Sequence, residues 1–168
     1  MEGSEEFIIR PAVVNDVPAI IPLVKESWAR TYDPAIGEAA RREISDNKHI
    51  PELFLAEIET PSKDALVAVS GDAIIGHVGG YMQDNNAFYV DHLHVEKGWH
   101  GKGVATALMN GLRDHLKSDT GLNPDAIELT VLKGNDRAIA FYFKQGFEDL
   151  GEAEGLNGIP AILMRWEI

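Results

Sequence analysis

The residues able to do chemistry concentrate in one stretch, Ala87 through Met109. Its first half, Phe88 to Val95, is rich in aromatic and β-branched residues and reads as a strand. That strand carries a carboxylate, Asp91, and two imidazoles, His92 and His94. Next come His100, Gly101, Lys102 and Gly103, then apolar residues at Val104, Leu108 and Leu112 with Ala105, Met109 and Leu116 beside them. The apolar spacing is that of one buried helical stripe. Glycines between a strand and a helix leave backbone amides with no Cβ to block a ligand. The helix N-terminus adds unpaired N–H groups and the positive end of the helix dipole, which together attract a phosphate. The same glycines also suit a purely structural tight turn, and the turn alone does not separate the two. It is not a P-loop, since Gly103 rather than Ser or Thr follows Lys102. Nor is it a dinucleotide fingerprint, because Ala105 and Thr106 occupy the last spacing positions.

The histidines invite a metal reading. His92 and His94 lie on one face of a strand, and His100 is close in sequence. Two imidazoles are too few to specify a metal and no acidic set completes them, so no metal is expected. Strand alternation puts Asp91 on one face with Tyr89, Leu93 and Val95, and His92 and His94 on the other.

The surrounding elements follow from periodicity. Residues 1–6 read as a loose polar leader, and Phe7 to Pro11 as a first strand. Asn15 is a suitable N-cap for a helix whose face carries Val17, Ile20, Ile21, Val24 and Trp28. Asp33-Pro34 predicts the start of a second helix, running to about Ser45. A short third helix follows Pro51, with Leu53, Phe54 and Ile58 turned inward. Ala65 to Val69 and Ala73 to Tyr81 form a hairpin around Ser70-Gly71-Asp72, and Asp84 to Asn86 turn the chain into the strand already described. After the glycine turn, a helix runs from Gly103 to about Lys117. Ala126 to Leu132 is a half-buried strand, with Ile127, Leu129 and Val131 inward and Glu128 and Thr130 outward. Asn135 caps a last helix that stops at Gly146. Phe147 to Leu150 and Ile159 to Glu167 are the closing strands. The fold class is α/β (α+β): a mixed, mostly antiparallel sheet with helices on both faces.

Composition sets bounds. At 168 residues the chain is expected to be a single domain. No cysteine is present, which removes disulfides, thiol nucleophiles and cysteine-based metal sites and fits a cytoplasmic location. No signal peptide or membrane-length apolar run is evident. The net charge of −12 disfavours nucleic acid and suits a cationic partner, although it equally serves solubility.

Two blocks carry a resemblance. The first is Leu93-x-Val95, followed after four residues by His100-Gly101-Lys102-Gly103-Val104-Ala105. It is similar to the acetyl-CoA signature Gln/Arg-x-x-Gly-x-Gly/Ala of the GNAT superfamily of N-acetyltransferases. The second is Asn135-x-x-Ala138-x-x-Phe141-Tyr142-x-x-x-Gly146-Phe147, which resembles that family's later Asn, Ala, Phe-Tyr, Gly-Phe block. The order of elements matches over nearly the whole chain. The resemblance implies a single N-acetyltransferase domain over residues 1–168, moving an acetyl group from acetyl-CoA directly to a primary amine. The acceptor would be a small amine, a polyamine or a protein amine, with no nucleic acid or membrane partner; a homodimer is compatible with the family.

The resemblance also implies roles. Val95 N–H and Leu93 C=O would pair with the pantetheine arm, and the Val95 amide would polarise the thioester carbonyl. The amides of Gly101, Lys102, Gly103, Val104, Ala105 and Thr106 would hold the pyrophosphate, with Lys102 adding charge or simply lying in solvent. His100 stands where the family has Gln or Arg. Tyr142 matches the acid that protonates the leaving thiolate. Asn135 would cap its helix, touch the cofactor, or both. Many members use a Glu early in the strand as base; that position here is Tyr89. Asp91 is then the first candidate base and His92 the second, with no dedicated base as a third option. Trp28 and Tyr32 would line the acceptor site, though the spacing of Trp28 also fits a core residue. The rival reading is a non-catalytic acyl-CoA-binding module of the same fold.

Overall fold

The computed structural model describes residues 6–168; apart from Glu6, the expected leader lies outside them. Seven strands pair into one sheet: β1 (Ile8–Pro11), β2 (Lys63–Ser70), β3 (Ala73–Met82), β4 (Ala87–Val95), β5 (Ala126–Leu132), β6 (Glu148–Glu154) and β7 (Pro160–Glu167), in the order β1-β2-β3-β4-β5-β7-β6. All neighbours are antiparallel except β4 and β5, which run parallel. The helices are α1 (Val17–Ile36), α2 (Glu38–Lys48), α3 (Pro51–Glu59), α4 (Val104–Ser118) and α5 (Asp136–Gln145).

Each sheet face buries its own core, because successive strand side chains point to opposite sides. On one face the predicted stripe of α4, with Leu108, Met109, Leu112 and Leu116, packs on Leu66, Val78, Phe88 and Ile127. On the other, Ile20, Val24 and Trp28 of α1 and Phe54 of α3 pack on Ala65 and Val67. Burial at about 25 cal/mol per Å² of apolar surface makes these two layers the main stabilising term.

Several boundaries differ from the sequence reading. Asn15 does not cap α1. Residues Val14–Asp16 form a 3-10 turn, and Asp16 Oδ2 accepts the Val13 N–H at 2.8 Å while Arg10 binds the same carboxylate at 2.7 Å. The second helix does not begin at Asp33-Pro34. Helix α1 runs through Pro34, whose missing N–H costs only one bond in a final turn, and the break falls at Gly37 with φ +87. Asp33 instead holds Arg41 of α2 at 2.6 Å. In α3, Leu53 is exposed and Glu57 is buried in its stead. In β5, Glu128 is also buried, beneath Gln83, Asn85 and Arg165.

The β3–β4 register slips by one residue. Gly79 faces His92 but Gly80 faces Val90, so Asp91 is the extra residue of a β-bulge. A Cβ on Gly80 would stand 1.8 Å from the carbonyl oxygen of Tyr89. We therefore expect Gly80→Ala to destabilise the fold by about 3 kcal/mol or more, as overpacking against backbone does. Gly134→Ala, where a Cβ meets nothing within 4 Å, should stay within about 0.5 kcal/mol of the parent. Denaturant unfolding of the two variants checks the contrast.

Candidate functional site

The parallel pairing of β4 with β5 covers only Ala87 to Tyr89 against Ala126 to Glu128. The last pair is pinned. Glu128 accepts hydrogen bonds from Gln83 at 2.9 Å, Asn85 at 3.3 Å and Arg165 at 2.8 Å, and the Tyr89 hydroxyl donates to Thr130 Oγ1 at 2.9 Å. Beyond it, β4 runs on to Val95 and β5 to Leu132 without pairing to each other. Glu96 N–H donates to Ile75 O of β3 at 2.8 Å. Alternation then turns Val95 N–H and Leu93 C=O the other way, into the gap. Val95 C=O accepts from Arg30 Nη2 at 3.2 Å and His100 Nε2 at 3.1 Å.

Two cavities open on this gap. A cleft of about 1160 Å³ runs along Val95, Trp99, the turn from His100 to Gly103, the start of α4 through Thr106, and the α5 residues Ala138, Phe141 and Tyr142. A smaller cavity of about 340 Å³ lies between α1, the middle of β4 and the β6–β7 connection; Trp28, Tyr32, Lys48, Tyr89, Asp91, His94 and Glu154 line it. Ser27, Thr31, Leu93, Asn135 and Tyr142 line both, so the two cavities meet at these side chains.

The turn is built as an open cradle. Gly101 and Gly103 hold φ of +77° and +83°, and nothing stands within 4 Å of where a Cβ would project from either. Gly103 directly precedes the first residue of α4, so the free amides of the helix start face the cleft. Lys102 lies 5.4 Å from the Trp99 ring, and Trp99 packs edge-on against Phe7. Asn135 caps α5 as predicted, accepting the Ala138 N–H at 3.3 Å, and it also lines both cavities. These features fit a long ligand with an anionic, phosphate-bearing end at the turn and a thin end at the gap.

The ionisable groups fall into two sets. Burial, then the neighbouring Tyr32 and Tyr89 oxygens, pushes the Tyr142 phenol up and keeps it protonated at neutral pH. Burial likewise raises Tyr32 and Tyr89. Asp91 stands 3.5 Å from Lys48 Nζ. At the floor of the smaller cavity lies a second set, the histidines His49, His77, His92 and His94, of which His94 reaches the cavity itself. Burial, then the adjacent His77, lowers His94 to about 3 and takes His92 well below its usual range. His49 falls to about 4 through burial and then Lys48.

The bulge corrects the predicted faces of β4. Asp91 does not share a face with Tyr89, Leu93 and Val95. Leu93 and Val95 pack toward the α4 core, whereas Tyr89 stacks on Tyr81 at 5.4 Å on the same side as His92 and His94. His92 lines neither cavity and sits below Asp91, its Nε2 3.5 Å from Asp91 Oδ2. Trp28 is a core residue with an edge on the smaller cavity, and Tyr32 packs on it at 4.4 Å. The sequence reading missed Lys48 and the buried pair His77–Glu57 at 2.8 Å. His77 carried a signal, since the hairpin register pairs it with His94; Glu57 carried none, because α3 read as apolar inward. Among the described residues, no group of three or more His, Asp or Glu side chains is placed to hold a metal ion, and no helix is long and apolar enough to cross a membrane.

Comparison with known proteins agrees with this architecture. The sequence model of the Acetyltransferase (GNAT) family matches residues 24–147. The L-amino acid N-acetyltransferase AaaT of Escherichia coli (strain K12) is 35% identical over 89 residues, covering 51% of this chain and 53% of that protein. The chain thus matches about half the length of that curated relative. In fold it is similar to the PaiA N-acetyltransferase of Thermoplasma acidophilum, solved in complex with coenzyme A, at a TM-score of 0.83 with 20% identity over 97% of this chain and 99% of that one. The ribosomal-protein-S18-alanine N-acetyltransferase of Escherichia coli superposes at a TM-score of 0.72 with 16% identity over 97% and 94%. A family match from Val24 to Phe147, spanning the gap, the glycine turn and the Tyr142 helix, identifies the chain as a member of the acetyltransferase (GNAT) family.

Proposed function

We propose that the protein is an acetyl-CoA-dependent N-acetyltransferase whose acceptor is a small primary amine. The observation that carries this reading is the meeting of the two cavities at the β4–β5 gap, with Tyr142 on both. Relatives similar to this chain act on amines: an L-amino acid for AaaT, a ribosomal protein alanine for the Escherichia coli enzyme. The smaller cavity, about 340 Å³, suits a small-molecule acceptor.

The larger cleft would hold acetyl-CoA, which supplies an activated acetyl group as a thioester. The amides from Gly101 to Thr106 and the positive end of α4 bind the pyrophosphate. Leu93 C=O and Val95 N–H bind the pantetheine amides, and Val95 N–H is the donor placed for oxyanion charge. Arg30 and His100 hold the Val95 carbonyl, and the N–H of that same peptide, on Glu96, donates to Ile75 O, so the backbone just after the donor is anchored on both sides. Here His100 acts on the backbone of β4, a different task from that of the Gln or Arg it replaces. Asp91 attracts the acceptor's ammonium group, Trp28, Tyr32 and Tyr89 form the walls around it, and Tyr142 donates a proton to the departing sulfur.

A panel of amines with acetyl-CoA, read as free thiol release, tests the assignment; tight acetyl-CoA binding without turnover on any amine would leave a binding module instead. Tyr142→Phe should lower kcat about 100-fold while the acetyl-CoA Kd stays within about twofold, as measured by calorimetry. Because burial raises the phenol, the wild-type rate should show no loss from its ionisation up to about pH 10. Thr106→Asp gives a contrast. A carboxylate in the first turn of α4 favours the helix dipole, so Tm should hold or rise, but its charge opposes the pyrophosphate and should weaken acetyl-CoA about tenfold or more.

A further inference from the structure

The buried histidines beneath the acceptor cavity have hydrogen-bond partners on one side only. Ser27 Oγ lies 2.8 Å from His94 Nδ1, and His77 Nε2 lies 2.8 Å from Glu57 Oε1. His94 Nε2, His92 Nδ1 and His77 Nδ1 are each buried without a protein partner. His77 and His94 are direct cross-strand neighbours, which sets their Cβ atoms about 5 Å apart. The His92 ring lies 5.7 Å from that of His77 and 5.8 Å from that of His94.

The partners bear on the proton positions. Facing an acceptor oxygen of Glu57, His77 carries its proton on Nε2 and leaves Nδ1 as a bare acceptor. His92 Nε2 lies 3.5 Å from Asp91 Oδ2, and with the proton on that side its Nδ1 is bare as well. The Ser27 hydroxyl can donate to His94 Nδ1, and in that arrangement the His94 proton lies on Nε2 as an unmet donor. One unmet donor and two unmet acceptors then lie on three neighbouring rings, the set that a single water molecule would complete by accepting from His94 and donating to His77 and His92. Buried waters make about three hydrogen bonds, which is this number.

We propose that Ser27, His94, this water and the His77–Glu57 pair form a relay that takes up the proton of the acceptor amine. The inference rests on the transferase reading above. Ser27 lines both cavities and His94 the smaller one, so the Ser27–His94 end of the chain is the end that meets the substrate. As the ammonium gives a proton to Ser27 Oγ, the Ser27 proton passes to His94 Nδ1, and the His94 Nε2 proton passes through the water to His77 Nδ1. The amine becomes neutral and nucleophilic, and His77 becomes an imidazolium facing the Glu57 carboxylate. No bond between heavy atoms changes and one proton moves in. His94, lowered to about 3, transmits the proton without retaining it. Lys25 and Arg30 on α1 and Lys48 on α2 oppose positive charge among these rings, as does neighbouring His49; Asp91 on β4 and Glu57 on α3 favour it. Glu57 alone is bonded to His77 among the paired groups, so the charge settles there. Ser27 and His94 are the catalytic members; His77 and Glu57 act through them.

The test has two arms. Nitrogen-15 NMR of the imidazoles in the ligand-free protein should find His94 and His77 both protonated at Nε2, and a crystal structure should show one water about 3 Å from the three convergent nitrogens. A His94 proton on Nδ1 overturns the relay. In the kinetic arm, Ser27→Ala, His77→Asn and Glu57→Gln should each lower kcat/KM for an alkylamine about 100-fold at pH 7. The deficit should shrink as pH rises toward the amine's own pKa, where solvent supplies the neutral amine, and the acetyl-CoA Kd should stay unchanged. Ser27→Ala removes only a hydroxyl at the cavity wall and keeps the test open should a buried variant fail to fold. Wild-type rates and pH profile in Ser27→Ala, or a full loss in Asp91→Asn beside normal His77→Asn, overturn the relay while leaving the transferase reading intact. Absence of wild-type turnover on every amine overturns the transferase reading instead, and the relay with it.

Discussion

Everything at this site depends on two parallel strands ceasing to pair. A parallel ladder interrupted in mid-sheet exposes backbone donors and acceptors that must find other partners. Glu128 sets the point of parting. Its buried carboxylate would be costly without partners, and Gln83, Asn85 and Arg165 supply them. Arg165 comes from β7 and the amides from the β3–β4 turn, so neighbours on both sides hold the last pair together. Past it, Arg30 and His100 satisfy one freed carbonyl of β4, and the remaining edge can pair with the amides of an extended ligand. On the proposed reading, the gap would serve both as the entrance for a thioester and as a partner for the amides of its arm.

The bulge at Asp91 divides the work of β4 between the two faces of the sheet. Before it, Phe88 and Val90 belong to the α4 core; after it, Leu93 and Val95 do. Without the extra residue, the side chains at 92 and 94 would fall on the α4 side, among Leu108 and Leu112, where an imidazole has no partner. With it, His92 and His94 reach α1, α2 and α3, and Asp91 is left at the cavity wall. The tightness at Gly80, directly opposite, follows from the backbone rising at the bulge to meet it.

The sequence made the larger cleft legible and the smaller cavity obscure, for physical reasons. The cradle is backbone: glycines at positive φ, a helix start and a strand edge, all of which leave a local signature around Gly101, Gly103 and Asn135. The Tyr142 helix announced itself through its cap and its Gly146 stop. Helix boundaries near Pro34 were misread because a proline in a last turn removes only one bond, so a glycine three residues later took the break. Strict alternation failed on β4 because a bulge depends on the partner strand, not on the strand itself. Glu57 was invisible because only the folded hairpin puts His77 opposite α3.

The histidine cluster shows how stability and chemistry meet in this molecule. A buried polar atom without a partner costs about 1–3 kcal/mol. Three such nitrogens would consume a large part of the 5–15 kcal/mol that holds a domain folded. Apolar side chains at 92 and 94 would leave no such nitrogens, and His77 and His92 already pack on Phe54, so packing alone does not account for imidazoles here. A bridging water removes the penalty for about 2 kcal/mol or less of ordering. What the water adds is continuity: it joins a hydroxyl at the acceptor cavity to a carboxylate beneath the sheet. A core polar at three positions for that purpose is consistent with an acceptor pocket whose carboxylate, Asp91, is already engaged by Lys48. On the proposed reading, attraction of the cation by Asp91 and removal of its proton through Ser27 and His94 are then separate tasks, set at the bulge, after it on the same strand, and on the helix that faces it.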